Sequence, residues 1–223
     1  MNIASYIDHT LLKPDATEAQ ITKLCEEAKT HQFKSVCINA VYIPLAKNHL
    51  KNSSVKICTV VGFPLGMSPT EVKLKETEWA ISNGAQEIDM VICIGMVKNQ
   101  NAEYVKNDIQ ILAQFCRSKN VILKVILETC LLTDEEKKWA CKIALEAGAH
   151  FVKTSTGFST GGATLHDIKL MKEVVKDKGE IKASGGIKNL KMAMEMIEAG
   201  ATRLGTSSGV SLVQGSEMDS KSY

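Results

Sequence analysis

The amino-acid sequence predicts an α/β protein of the (β/α)8 TIM-barrel class. Eight short apolar segments alternate with helical patterns along the 223 residues. Segments such as 55–61 and 121–127 are largely apolar throughout, which is typical of parallel strands buried on both faces. Three helix ends share one pattern, in which glycine and alanine precede a strand by two residues. This alternation favours a closed barrel.

Strands are expected at eight places, namely 4–8, 35–39, 55–61, 87–93, 121–127, 151–155, 180–184 and 203–206. An open doubly wound sheet is the alternative, but it usually carries Gly-x-Gly-x-x-Gly after its first strand. Here the first strand leads into Asp8-His9-Thr10 instead. We expect one barrel domain over 1–214 and a flexible polar tail over 215–223.

The helices carry recognisable start and stop signals. Capping-box patterns stand at 17–20 and 133–136, and Ser68-Pro69-Thr70 places proline at a helix start. Gly84, Gly148 and Gly200 suit the positive φ of helix C-terminal caps.

Composition and charge exclude several classes of protein. The net charge is +2 and the basic residues are dispersed, which argues against nucleic-acid binding. We find neither a membrane-length apolar run nor a signal peptide, so we expect a cytoplasmic protein. Seven cysteines without a Cys-x-x-Cys pair indicate reduced, buried thiols. Five scattered histidines predict no metal site.

Two lysines lie in apolar strands near the C-terminal end of the chain. Lys153 belongs to the sixth predicted strand and Lys182 to the seventh, and small residues follow both. A buried ammonium is costly, and a second cation nearby lowers a lysine pKa towards the neutral, nucleophilic amine. A single such lysine could extend its ammonium to solvent. Two on adjacent strands favour a shared catalytic site.

Carboxylates on other strands provide partners for these lysines. Asp89, in the fourth strand, could pair with Lys182 and relay protons through water, or form a structural ion pair. Lys124 and Glu128 share a face of the fifth strand and are expected to form a buried supporting pair. Asp8 ends the first strand, where a turn or capping role is the default; it is also a candidate for substrate binding.

Glycine-rich turns follow the last strands. They are 184–187 and 205–209, and the second leads into a short apolar helical turn at 210–213. In barrels of this class such turns bind phosphate through backbone N–H groups. The candidate substrate- and phosphate-binding residues are therefore Thr156, Gly157, Gly185, Gly186, Gly205, Ser207 and Ser208.

These motifs together resemble the deoxyribose-phosphate aldolase family nearly from end to end. The segments that carry the resemblance are 7–12, 35–39, 61–66, 87–92, 124–129, 153–158, 182–187 and 205–209. The resemblance implies a Schiff-base aldolase that cleaves 2-deoxy-D-ribose 5-phosphate into acetaldehyde and D-glyceraldehyde 3-phosphate, without metal or cofactor.

The resemblance also assigns roles. Lys153 corresponds to the Schiff-base lysine, Lys182 to the second lysine that perturbs it, and Asp89 to the acid–base partner. Tyr223 corresponds to a C-terminal tyrosine on a flexible tail. Cys93 departs from the asparagine of many bacterial members.

The expected partners are a phosphorylated sugar, a small aldehyde and a second copy of the chain in a homodimer. Two alternatives stay open: a Schiff-base aldolase for another phosphorylated sugar or keto acid, and a non-catalytic sugar-phosphate-binding barrel.

Overall fold

The computed structural model describes residues 2–215, in which eight parallel strands form a closed barrel. Each strand pairs with the next in sequence, and the last pairs with the first. The strands are β1 (Ile7–Leu11), β2 (Ser35–Ile38), β3 (Lys56–Val61), β4 (Glu87–Val91), β5 (Ile122–Ile126), β6 (Phe151–Lys153), β7 (Glu180–Ser184) and β8 (Arg203–Thr206). The predicted (β/α)8 class is confirmed.

Helices connect the strands on the outside of the barrel. They are α1 (Glu18–His31), α2 (Ile43–His49), α3 (Thr70–Asn83), α4 (Ile94–Lys98), α5 (Ala102–Ser118), α6 (Asp134–Glu146), α7 (Leu165–Val175), α8 (Leu190–Glu198) and α9 (Gly209–Gln214). Short 3-10 helices occupy Ile3–Tyr6, Ala40–Tyr42 and Thr129–Leu131. Within residues 2–215, no helix has both the length and the apolar character that a membrane span requires.

The predicted helix signals are largely confirmed. Thr17 and Thr133 both form capping boxes, at the starts of α1 and α6. Gly84, Gly148 and Gly200 have φ of 124°, 98° and 121°, which side chains with a Cβ rarely adopt. Pro69 precedes the first residue of α3 and serves as its N-cap residue.

The first strand was predicted three residues too early. The Asn2 side chain accepts the Ala4 N–H at 3.2 Å and starts a 3-10 turn over Ile3–Tyr6. Ala4 and Ile7 are both buried at a spacing of three residues, which matches the three residues per turn of a 3-10 helix. β1 consequently begins at Ile7.

Strand periodicity separates an apolar outer face from a charged interior. On β4, Ile88 and Met90 belong to the apolar layer under the helices, whereas Asp89 points into the barrel. In the strand register Asp89 lies opposite Lys124, and Lys153 lies opposite Lys182. The barrel interior therefore holds charges from adjacent strands at one level.

A separate buried ion pair joins α3 to α5. Lys73 Nζ lies 2.6 Å from Asp108 Oδ2 and donates to the Val91 carbonyl oxygen at 3.1 Å. Thr70 Oγ1 donates to the other Asp108 oxygen at 2.8 Å. This pair lies outside the barrel and connects two helices to the end of β4.

Candidate active site

Asp89 is the centre of the charged interior. Its Oδ2 accepts hydrogen bonds from Lys153 Nζ at 2.9 Å and from Lys182 Nζ at 2.7 Å. Its Oδ1 accepts one from Lys124 Nζ at 2.8 Å. One carboxylate thus binds three lysines from β5, β6 and β7. The structure brings together the three residues to which the resemblance gives catalytic roles, and it adds Lys124.

Electrostatics keeps this core ionised. Burial opposes ionisation of Asp89, but the ammonium groups of Lys124, Lys153 and Lys182 hold its pKa well below the usual value. Burial likewise disfavours the Lys182 ammonium, but the carboxylates of Asp8 and Asp89 raise its pKa above the usual range. At neutral pH, Asp89 is therefore an anion and Lys182 a cation.

The two lysines of the sequence analysis occupy different positions. Lys153 lines a cavity of about 660 Å³ at the C-terminal end of the barrel. Lys182 is completely buried beneath it, with Nζ 2.6 Å from Asp8 Oδ2 as well as 2.7 Å from Asp89 Oδ2. Lys153 is accessible to a ligand in the cavity, whereas Lys182 is enclosed by its carboxylate partners.

Asp8 has a different place from the one predicted. Its side chain neither caps a turn nor lines the cavity, because β1 continues to Leu11 and Asp8 points into the barrel. Its Oδ1 accepts hydrogen bonds from Ser35 Oγ at 2.7 Å and from Arg203 Nε at 2.9 Å. We therefore reassign Asp8 from substrate binding to the buried charge network.

The cavity wall consists mainly of the C-terminal ends of the strands, the loops that follow them, and one face of α1. The predicted substrate residues that line it, besides Lys153, are Thr156, Gly157, Gly185, Gly205 and Ser207. Gly186 and Ser208 lie next to lining residues without lining the cavity themselves. The volume is typical of small-molecule sites.

The predicted pair of Lys124 and Glu128 does not form. β5 ends at Ile126, and Glu128 has a left-handed backbone with φ 57° that ends the strand periodicity. Glu128 instead accepts hydrogen bonds from the Thr156 hydroxyl and from its N–H. Burial raises the Glu128 pKa, against the effect of these bonds. Lys124 pairs with Asp89 and also with Glu87, whose Oε2 lies 2.6 Å from Lys124 Nζ.

Several contributors to the site were missed in the sequence. Arg203 is buried in β8 and contacts both Asp8 and Glu87. Its signal was present, since a charged side chain in a buried strand needs partners. Phe158 lines the cavity and packs edge-on against Phe63, with ring centroids 5.2 Å apart. No local pattern indicated that contact across the barrel mouth.

All seven cysteines are free thiols. Six are buried as predicted, but Cys130 is exposed in the connection after β5. Cys93, the departure from the family pattern, is buried at the start of α4 and contacts the Met67 sulfur at 3.9 Å.

Within residues 2–215, the two thiol sulfurs of Cys37 and Cys58 and a carboxylate oxygen of Asp89 lie within 4.8 Å of one another. This spacing would suit the ligands of a metal ion. Three ammonium groups already bind the Asp89 carboxylate and would repel a metal cation. This set of residues is therefore poorly suited to a metal.

Tyr223 and the predicted tail after Gly215 lie outside the described residues.

Comparisons with known proteins identify relatives along nearly the whole chain. The model of the DeoC/LacD family aldolases matches residues 2–215. A deoxyribose-phosphate aldolase of Carboxydothermus hydrogenoformans is 59% identical over 215 residues, covering 96% of this chain and 94% of that protein. One of Brevibacillus brevis is 55% identical over 100% of both chains.

Solved structures agree with the sequence relatives. The aldolase QR15 has a TM-score of 0.90 and 40% identity, covering 95% of this chain and 94% of that one. Deoxyribose phosphate aldolase from Aeropyrum pernix, a tetramer, has a TM-score of 0.89 and 35% identity over 95% and 89% of the two chains. The resemblance drawn from the motifs is confirmed, and this chain belongs to the DeoC/LacD family of aldolases.

Proposed function

We propose that this aldolase cleaves 2-deoxy-D-ribose 5-phosphate to acetaldehyde and D-glyceraldehyde 3-phosphate through a Schiff base on Lys153. One observation carries the choice of nucleophile. Of the three lysines that bind Asp89, Lys153 is the one that lines the cavity. The substrate itself is inferred from the activity named for the relatives that match almost the full chain.

The reaction begins with attack of the neutral Lys153 amine on the C1 aldehyde. Loss of water gives an iminium ion, which accepts electrons. The C3 hydroxyl then loses its proton, its oxygen forms a carbonyl, and the C2–C3 bond breaks. The electron pair of that bond forms an enamine on C1 and C2. D-Glyceraldehyde 3-phosphate leaves, C2 is protonated, and hydrolysis releases acetaldehyde and restores Lys153.

Lys182 and Asp89 prepare Lys153 for this attack. The buried ammonium of Lys182 lies beside Lys153, so the nucleophile has a neighbouring positive charge. Asp89 holds both lysines in place through one oxygen atom. Because Asp89 stays ionised, its part in the predicted acid–base role is to anchor Lys153 and Lys182, and a water molecule in the cavity carries the proton from the C3 hydroxyl.

The phosphate group binds at the loops after β6, β7 and β8. Gly157, Gly185 and Gly186 have φ of 85°, 86° and 79°. Glycine conformations of this kind allow backbone N–H groups to form a concave anion site. Gly205, Ser207 and Ser208 follow from the neighbouring strand. Anchoring the phosphate there leaves the aldehyde end of the substrate to reach Lys153 at the cavity floor.

We propose that Tyr223 takes part in the enamine protonation step. The proposal for this residue rests on the family resemblance, since Tyr223 lies beyond the described residues. A variant that lacks Tyr223 tests this role. It should still form the Schiff base, but it should no longer exchange protons at the methyl group (C2) of acetaldehyde.

Borohydride trapping is the decisive experiment. Reduction in the presence of 2-deoxy-D-ribose 5-phosphate followed by peptide mass spectrometry should give an adduct on Lys153. Absence of an adduct would contradict the Schiff base and favour a non-catalytic sugar-phosphate-binding barrel. A panel of donor aldehydes and keto acids separates the other alternative, because preference for acetaldehyde supports the proposed substrate.

The oligomer is a homodimer that buries exposed apolar side chains near α3. Val41, Leu65, Met67 and Trp79 are 71%, 71%, 59% and 47% exposed. Large exposed apolar groups of this kind mark interaction surfaces. Light scattering should give a dimer that Leu65→Glu dissociates, whereas a monomer at micromolar concentration would contradict it.

Free thiols at all seven cysteines fit the predicted cytoplasmic location.

A further inference from the structure

Six charged side chains in the barrel interior form a closed ring in which cations and anions alternate. We call it the interior ring. In order of contact its members are Arg203, Asp8, Lys182, Asp89, Lys124 and Glu87, and the last contacts Arg203 again. The ring contains three cations and three anions and is therefore neutral.

Arg203 and Glu87 close this ring away from the cavity. Arg203 Nε lies 2.9 Å from Asp8 Oδ1, and its Nη2 lies 2.6 Å from Glu87 Oε2. Glu87 Oε2 also lies 2.6 Å from Lys124 Nζ. Both side chains are almost fully buried, and neither lines the cavity. They can influence the reaction only through the residues they bind.

Lys153 is the seventh charge of this network. It contacts the ring at Asp89 Oδ2, an oxygen that already binds Lys182. With the ring neutral, a Lys153 ammonium adds one uncompensated positive charge to a buried site, which is unfavourable. Release of a proton from Lys153 restores neutrality, whereas release from Lys182 or Lys124 would break contacts with two carboxylates each.

We infer that Arg203 and Glu87 are positioning residues of the aldol reaction, which complete the interior ring and so make Lys153 the lysine that loses its proton. The inference rests on the proposed role of Lys153 as nucleophile. It concerns two residues that touch neither the cavity nor Lys153. Their effect is transmitted through Asp8 and Lys182 on one side and through Lys124 and Asp89 on the other.

Other ionisable groups also surround Lys153. Besides the six members of the ring, they are Cys37 (β2), Cys58 (β3) and Glu128 (after β5). Glu128 is bound by Thr156 and takes no part in the ring. The test must therefore change ring charge without changing these other groups.

Two variants with opposite charge changes provide that test. Arg203→Met removes a cation from the ring, so Lys153 should hold its proton more tightly. The acidic limb of the pH profile of kcat/KM should move to higher pH by about one unit. Glu87→Gln removes an anion, and the limb should move to lower pH by a similar amount. The pH dependence of borohydride trapping at Lys153 should show the same two shifts.

Matched controls separate charge from packing. Arg203→Lys keeps the charge, so its limb should stay at the wild-type pH even if kcat falls. Lys142→Met removes an exposed cation and should leave the limb unchanged, because solvent screens it. The double variant Arg203→Met/Glu87→Gln restores neutrality and should return the limb towards the wild-type position.

Shifts in the same direction, or unchanged limbs with only lower kcat or lower yield, would overturn the inference and make both residues structural. If Arg203→Met does not fold, Glu87→Gln decides alone, and a limb that does not move to lower pH overturns it. A different result would contradict the proposed function itself, namely the absence of a borohydride adduct on Lys153 in the wild-type protein.

Discussion

Two of the regions in which the protein buries lysines differ in charge balance. Between α3 and α5, Lys73 is fully buried and meets one carboxylate, Asp108, together with a carbonyl oxygen. In the barrel interior, Asp89 is shared by three lysines, and one of them reaches the cavity. The first region contains a balanced pair and the second a surplus cation.

This difference shows that burial of a lysine is not by itself a sign of catalysis. Lys73 is as buried as Lys182, yet it connects two helices and supports the turn after β3, where its side chain packs against Gly62. The proposed mechanism also requires a lysine whose nitrogen a substrate can reach, and Lys153 lines the cavity.

Replacement of Lys153 should have the largest effect on activity. Lys153→Met removes the nucleophile, so kcat/KM should fall by at least about a thousandfold. The free energy of unfolding should stay equal or rise, because a surplus buried charge is lost. Steady-state kinetics and urea unfolding measure both. A destabilised variant with substantial activity would contradict the distinction between the two regions.

Replacement of Lys73 should give the converse result. Lys73→Met leaves Asp108 buried without its cation, which should lower the free energy of unfolding by about 3–5 kcal/mol. The folded protein should retain its pH profile and its trapping at Lys153. Lys73→Met/Asp108→Leu is the matched control, since removing both charges should recover much of the stability. A lost adduct in folded Lys73→Met would place Lys73 in the reaction.

Acid should destabilise the protein through the barrel interior. Burial opposes ionisation of Asp8 and Asp89, but neighbouring cations lower both pKa values below the unfolded value of about 3.9. Their stabilisation is therefore complete above that value and is lost as the pH falls through the folded pKa values. Below pH 4 the free energy of unfolding should fall by about 1.4 kcal/mol per pH unit for each carboxylate.

Urea unfolding at several pH values between 7 and 3 measures this dependence. We expect a plateau in the neutral range and a decline at the acidic end. A constant free energy of unfolding down to pH 3 would mean that the interior carboxylates are not held ionised by their partners.

The smallest expected effect concerns Gly205, which packs closely against Ser184 and Lys182. A Cβ at Gly205 would lie 2.2 Å from Ser184 Oγ and 3.0 Å from Lys182 Cε. Gly205→Ala should therefore cost about 1–3 kcal/mol of stability and raise KM several-fold. Ser184→Ala in the same chain should relieve the contact. Unchanged KM and stability in Gly205→Ala would show that the wall adapts freely.

Local patterns in the sequence predicted much of the fold. The capping boxes at Thr17 and Thr133, the helix-ending glycines and seven of the eight strands depend on residues only a few positions apart, and they appear where they were expected. The first strand was misplaced because Asn2 caps a 3-10 turn, a side-chain interaction that an apolar run conceals. Lys153, Lys182 and Asp89 were found because charges in apolar strands are costly.

The partners of those charges were not predictable in the same way. Glu128 was paired with Lys124 by strand periodicity, but its left-handed backbone ends the strand and directs it to Thr156. Arg203 binds Asp8 across 195 positions of sequence. Such contacts depend on which strands face one another across a closed barrel.

The sequence by itself determined the barrel, the lysine pair with Asp89 and the glycine-rich loops after the last strands, because each depends on local periodicity or on the cost of burying a charge. The tertiary structure decided which lysine a substrate can reach and which carboxylates neutralise the others. Those outcomes depend on distances between strands that are remote in sequence, and closure of the barrel sets all of these distances at once.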